Sequence, residues 1–392
     1  MPQQNQFRHQ SYSKTEPSAT FDAFVAEPPP APGTAAFADR MQVAGDQYRK
    51  AGVAAIILTH GTLVGYDPTG LAHTVGQYHP NLALRMRLWT KMKADSVFKD
   101  VTNYTRDFTN TLKKGLHRQG ADRIQVKRYN WSGENNHVGR FEAAIGLLDE
   151  LHGMNIPPGR RVLVWGHSHG GNVLALLTNL LTADPDLTGK LFAASDRFRT
   201  TDPRRRKIQQ LLQERAFSLE DRPVDMVTFG TPIRYGWDSG GYSRLLHIVG
   251  HRKVGRRPVY RTRVLRDVLD ALQGKDGDYV QQWGITGSNF ATPFFWNSWR
   301  ADRRMAKLLE QDLHWRHWPH RVATGMRVPE EGHALLVDYG VAPSGWFRHF
   351  LGHSNYTHMD WMLFHVEQVA RHLYGPQNCT GHVHEASNSG VT

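Results

Sequence analysis

The sequence predicts an α/β protein with a mostly parallel central sheet and helices on both faces. Three observations predict it. Short apolar runs recur between residues 41 and 375, most of them stopping at a turn that contains glycine. Segments with helical patterning separate them, as crossovers between parallel strands require. Several runs are apolar at every position, which suits a strand covered by helices on both sides.

Taken in chain order, residues 54–59 form the first such run, which stops at His60-Gly61-Thr62. Residues 123–131 read as the next strand and 138–152 as the helix after it. Residues 161–165 are again strand-like, and 172–181 form an aliphatic helix. The run 224–229 ends at Gly230-Thr231-Pro232. Residues 279–286 read as a strand before Gly287-Ser288-Asn289, and 334–337 end at Asp338-Tyr339-Gly340. A last helix is expected from about His358 to Tyr374, with Thr357 as its cap and Asp360 three residues on. Residues 1–40 are rich in Gln, Ser, Pro and Ala and hold too little apolar surface for a core, so a disordered arm is expected there. Residues 376–392 read the same way. The domain is thus expected over 41–375, with an aromatic-rich helical insertion or cap within about 239–327. Trp283, Trp296, Trp299, Trp315 and Trp318 lie in that stretch.

Bulk composition narrows the class. The chain has 392 residues, 40% hydrophobic and 21% charged, as ordinary globular proteins do. It has no run of about 18 apolar residues, which excludes a helical membrane span. The residues from Met1 to Gln6 lack the pattern of a secretory signal, and the single Cys379 excludes an intramolecular disulfide. A cytoplasmic location is the expectation. The net charge is +12, with basic clusters at 197–207, 252–266 and 300–307. These point to contact with an anionic surface. No recognisable nucleic-acid module accompanies them, so no nucleic-acid partner is expected.

The chemistry centres on Gly166-His167-Ser168-His169-Gly170, between the strand-like 161–165 and the aliphatic helix. That strand–turn–helix setting is what a nucleophile elbow requires, and it predicts Ser168 as the nucleophile. At so strained a turn, side chains two residues either side of the serine would collide with strand and helix. The helix start also aims free N–H groups and its positive dipole end at the reacting centre. The turn His60-Gly61-Thr62 supplies the second part. Backbone N–H groups of Thr62 and His169 are the predicted oxyanion donors.

The catalytic histidine is expected in the loop after the last strand, where His349, His353 and His358 lie. His353, in mid-loop, is the leading candidate and His358 the alternative. The acid is read by elimination. The loop after the run 279–286 offers Asn289 in place of a carboxylate, while Asp276 and Asp278 precede that run, at the wrong end of the sheet for a strand. Asp238, shortly after the run 224–229, is therefore the leading acid, with Asp338 and the neutral Asn289 as alternatives. No metal or organic cofactor is expected. His167 and His169 flank an elbow, so their side chains point apart and make no metal pair.

The set Thr59-His60-Gly61-Thr62, Gly166 to Gly171 and Thr228-Phe229-Gly230-Thr231-Pro232 resembles the lipase and esterase branch of the α/β-hydrolase superfamily. The resemblance covers most of residues 50–375. Residues 130–135 with Arg140, and Arg234 to Asp238, are similar to signatures in uncharacterised bacterial hydrolases of this type. It implies an acyl-enzyme mechanism on a small-molecule or lipid carboxylic ester, without a cofactor. An acid at Asp238 resembles the pancreatic-lipase arrangement. Two other readings stand beside it. One is a thioesterase, amidase or acyltransferase on the same elbow, and the other a non-catalytic protein that binds partners through its basic face.

Overall fold

The computed structural model describes residues 6–8, 19–196, 203–253, 258, 274, 277–285, 287, 289, 296–310, 327–340 and 351–375. Seven strands form one sheet: β1 (Thr20–Val25), β2 (Val53–Thr59), β3 (Gln125–Tyr129), β4 (Arg161–His167), β5 (Val224–Phe229), β6 (Arg244–Gly250) and β7 (His333–Asp338). Their spatial order is β1-β7-β6-β5-β4-β2-β3, and every neighbouring pair is parallel. The helices are α1 (Ala35–Lys50), α2 (Leu71–Gly76), α3 (Pro80–Phe98), α4 (Arg106–Gly115), α5 (His137–Gly153), α6 (His169–Thr182), α7 (Pro185–Ser195) and α8 (Pro203–Gln213). After β6 come α9 (Tyr279–Gly284), α10 (Trp296–Leu309) and α11 (Met362–Tyr374).

Alternation along the strands divides the core into two layers. In β4, Val162 and Val164 pack with α5, α6, α7, α8 and α10, while Leu163 and Trp165 pack with α1, α4 and α11. β5 repeats the division, with Val224 and Met226 on the first side and Val227 and Phe229 on the second. Successive strand residues point to opposite faces, so a strand apolar throughout feeds both layers at once. No helix among the described residues is long and apolar enough to cross a membrane.

Four expectations need correction. Residues 20–25, expected in a disordered arm, form the edge strand β1, paired with β7 from Thr20↔His333 to Val25↔Asp338. Phe7 is buried in the core, and Arg8 N–H donates to Asn179 Oδ1 at 2.7 Å. The Pro-rich flanks dilute the composition of a segment that alternates Phe21, Ala23 and Val25 with Thr20, Asp22 and Phe24. Next, residues 279–284, read as a strand, form α9. Asp278 caps it, accepting from Gln281 N–H at 2.8 Å, and β-favouring Tyr279, Val280, Trp283 and Ile285 hid the helix. Third, the strand in that part of the sheet is β6, inside the stretch expected to be an insertion. Last, Thr357 does not cap the final helix. Its hydroxyl donates to Asp100 O and, at 3.3 Å, to Ser354 O, and a 3₁₀ turn over Met359–Trp361 precedes α11. Within the expected insertion, α10 buries Ala301, Met305 and Leu309 in the α5–α7 layer and forms part of the wall of the domain.

Candidate active site

The parallel strands bring the turns after β2, β4, β5, β6 and β7 to one end of the sheet, the end where open α/β sheets gather their chemistry. Ser168 sits between the last residue of β4 and the first of α6, with φ 53° and ψ −130°. That conformation costs a non-glycine residue about 1–3 kcal/mol and persists only where its surroundings hold it. The hold comes from β5. Ser168 N–H donates to Phe229 O at 2.8 Å, and the Thr231 hydroxyl donates to Ser168 O at 2.8 Å. The flanking glycines meet the steric expectation. A Cβ on Gly166 would lie 2.8 Å from Gly171, and one on Gly170 would lie 2.7 Å from His60 O.

The turn after β2 approaches the serine directly. A Cβ on Gly61 would lie 2.7 Å from Ser168 Cβ, so what this glycine makes room for is Ser168 itself. His60 anchors the turn. Its ring stacks on Trp131 at 5.7 Å, Trp131 N–H donates to its Nε2 at 3.3 Å, and Nδ1–H donates to Gly61 O at 2.7 Å. Burial, helped by the nearby Lys91 charge, pushes the His60 pKa down to about 3, so the ring is neutral and keeps this tautomer. Farther on, Leu63 N–H to Gly133 O, Tyr66 N–H to Trp131 O and Asp67 N–H to Ser132 O lace the loop to the strand beside it. Thr62 therefore sits in a braced turn beside the elbow. His169 opens α6, where a helix leaves its first N–H groups without partners in the helix.

His353 lies in the loop before α11 and is buried. Its Nδ1–H donates to Asp278 Oδ2 at 2.7 Å. With the carboxylate accepting, Nδ1 is the donating nitrogen, and in the neutral ring the lone pair lies on Nε2. Nε2 is buried and makes no hydrogen bond. The ring packs 4.7 Å from that of His167, the neighbour of Ser168, and His167 Nε2–H donates to His353 O at 3.2 Å. Burial, reinforced by His353 close by, holds the His167 pKa well below the usual imidazole range, so a neutral ring braces the loop. His358, the alternative histidine, faces outward between Asp100 and Asp360 at 3.8 and 3.4 Å. His349 lies outside the described residues.

The acid beside His353 is Asp278, not Asp238. Asp278 is fully buried, and its carboxylate accepts three hydrogen bonds: from His353, from the Tyr356 hydroxyl at 2.9 Å and from Gln281 N–H at 2.8 Å. Tyr356 in turn accepts from Gly250 N–H at 2.6 Å, tying the carboxylate to the end of β6. The acid therefore follows the next-to-last strand, and the expected shift to the strand before it is not found. Asp238 instead caps a 3₁₀ turn, accepting from Gly240 N–H at 2.9 Å, with its own N–H on Thr178 Oγ1 at 3.1 Å. Thr178 is nine residues along α6 from its start, roughly 14 Å at 1.5 Å per residue. Asp338 is engaged by Arg252 through two bonds of 2.8 Å. Asn289 accepts from Arg140 Nη2 at 2.6 Å.

Arg140 belongs to a buried polar wall behind the elbow. Its Nε donates to the Tyr235 hydroxyl at 2.9 Å, and its Nη1 lies 3.5 Å from His169 Nδ1. Tyr235 also bonds His137 Nδ1 at 2.7 Å, and Arg234 pairs with Glu310. Burial alone would raise the Glu310 pKa, but Arg234, His137 and Arg140 together outweigh it and hold the carboxyl well below its usual range. Of the expected basic surface, Arg300 and Arg303 stack on Trp296 and Trp299 at 5.0 and 4.9 Å, along α10.

A cavity of about 810 Å³ opens beyond the braced turn, lined by Tyr66, Asp67, Arg87, Trp131 and Glu134 among others. Neither Ser168 nor His353 lines it. Size favours the cavity as a site, while side chains of nucleophile, base and acid type gather outside its lining, near the Ser168 turn.

One glycine makes the Asp278 arrangement sterically possible. Gly230 ends β5 at φ +56°, and a Cβ there would lie 2.3 Å from the Tyr356 ring and 2.5 Å from Asp278 Oδ2. Gly230→Ala is expected to cost at least about 2 kcal/mol in chemical denaturation, from strained backbone and overpacking together. It is also expected to displace the acid; unchanged stability and activity would contradict this.

A scan against protein-family models, a search of curated proteins and a search of solved structures found no match to this chain.

Proposed function

We propose that the chain is a serine hydrolase of the α/β-hydrolase type, with Ser168, His353 and Asp278 as its triad. Within that class, the reading supported by the elbow and the preceding turn is cleavage of a carboxylic ester. The observation that carries it is the buried His353–Asp278 hydrogen bond at 2.7 Å, which holds the ring by Nδ1 and leaves Nε2 as the nitrogen without a hydrogen bond near the elbow. In this reading Nε2 takes the Ser168 proton as Oγ adds to the substrate carbonyl. The N–H groups of Thr62 and His169 hold the oxyanion, and Asp278 stabilises the imidazolium. Collapse breaks the bond to the leaving alcohol, which takes the proton from His353. Water then repeats the sequence on the acyl-enzyme and releases the acid. The absence of a direct Ser168–His353 hydrogen bond is usual before substrate binds, since such bonds tighten in the complex.

A fluorophosphonate probe tests the class. Wild type should label at one site, and Ser168→Ala should not label at all. A folded wild type that resists the probe would overturn the reading and favour a non-catalytic binding role. Turnover of 4-nitrophenyl esters against matched thioesters and anilides tests the finer assignment, and faster thioester or anilide cleavage would replace it.

A further inference from the structure

At the other end of the sheet, three potential metal-ligating side chains from distant parts of the chain meet. Asp22 lies in β1, His333 opens β7, and His372 lies in the last turn of α11. Thr20 pairs with His333 in the parallel register, so Thr20, Asp22 and His333 share one face of the sheet. His333 Nε2 lies 3.1 Å from Asp22 Oδ2, and its ring stacks on that of His372 at 5.4 Å. One ligand atom from each residue lies within 4.8 Å of the other two.

We propose that Asp22, His333 and His372 bind a divalent first-row transition metal, with Zn²⁺ as the ion their donor set suits. Two imidazoles and one carboxylate are ligands that Zn²⁺ accepts, and three protein ligands leave a position for water. Tetrahedral bonds of about 2.0–2.1 Å put ligand atoms roughly 3.4 Å apart, within reach by side-chain adjustment. The surroundings fit this use. Thr20 Oγ1 bonds His333 Nδ1 at 2.8 Å, the outer contact that a ligating histidine usually makes through its second nitrogen. A hydroxyl serves either tautomer, so Nε2 can present its lone pair while the Thr20 bond persists. The metal would cross-link the edge strand, the last strand and the final helix. It lies away from the Ser168 end and takes no part in the hydrolysis proposed above.

The test uses full-length, tag-free protein stripped with chelator and titrated with Zn²⁺ against a chromophoric indicator. One site per chain is expected. Asp22→Asn and His372→Gln should each weaken it at least tenfold, and Thr20→Val about tenfold. Fluorophosphonate labelling of wild type and variants alike would show the fold intact, and its failure in all of them would bear on the hydrolase reading alone. Zn²⁺ should also raise the Tm of wild type and of neither ligand variant. The absence of a site in wild type, or unchanged affinity in either ligand variant, would overturn the proposal and leave an ordinary His333–Asp22 ion pair.

Discussion

Asp278→Asn is expected to lower kcat by about 10³–10⁴ while leaving the fold and substrate affinity nearly intact. The substitution keeps the shape and can still cap α9. Its amide, however, presents N–H where the carboxylate accepted from His353 Nδ1 and Tyr356. The imidazole then favours the tautomer with its proton on Nε2, where it cannot serve as a base. A loss of that size corresponds to about 4–5.5 kcal/mol of transition-state stabilisation. Asp238→Asn and Asp338→Asn, whose partners are Gly240 and Arg252, should hold the rate near that of the unmodified protein. Hydrolysis of an activated ester by the three variants decides the matter, and full activity in Asp278→Asn would remove it from the proposed triad.

The second large effect concerns pH. Burial drives the His60, His247 and His365 pKa values down to about 3, with Lys91 adding to it at His60, and holds His167 and His169 well below the usual range. Unfolded, each titrates near 6.5, so below that value the unfolded chain binds more protons than the folded one. Their contribution is fully present above pH 6.5 and is lost as pH falls toward 3. Glu331 acts in the opposite sense. Burial, with Glu330 nearby, raises its pKa to about 7, so the folded state holds a proton there that the unfolded state releases. Five histidines act against Glu331 here, so between pH 6.5 and 3 these groups together take up protons on unfolding and stability falls with pH. Denaturant unfolding at pH 7.5, 6.5 and 5.5 should show the loss steepening, and His365→Gln should reduce the slope by about one proton. Stability that stays flat down to pH 5.5 would contradict the neutral state of these rings.

Most of the sheet was legible because a strand buried on both faces is an apolar run, and β2, β4, β5 and β7 all have that form. The Ser168 turn was legible because its glycines stand between such a strand and an aliphatic helix. The carboxylate beside His353 was misread through one element. Residues 279–284 carry Tyr, Val and Trp, which favour strands, and taking them for one put Asp278 at the wrong end of the sheet. A signal for the helix was present, since Asp278 with Gln281 three residues on is a helix start. The strand that belonged there, Leu245-Leu246-His247-Ile248-Val249, was masked by its histidine and by the Arg- and Trp-rich residues that follow it. Its place beside β5 and β7 depends on pairing across the sheet, which periodicity does not report.

The pairing of β1 with β7 has a consequence for how the molecule assembles. Thr20 meets His333 across 313 residues, and Tyr48 in α1 donates to Val366 O across 318. Contacts so distant in sequence carry a high loop-closure cost until the intervening chain is ordered. During synthesis, β2 to β5 can pair while the ribosome is still building the remainder. β1 and α1 must wait for β7 and α11 to emerge. Until then Phe24, Phe37 and Met41 lack the strand and helix that cover them, and the growing chain is most open to misassembly around β1 and α1.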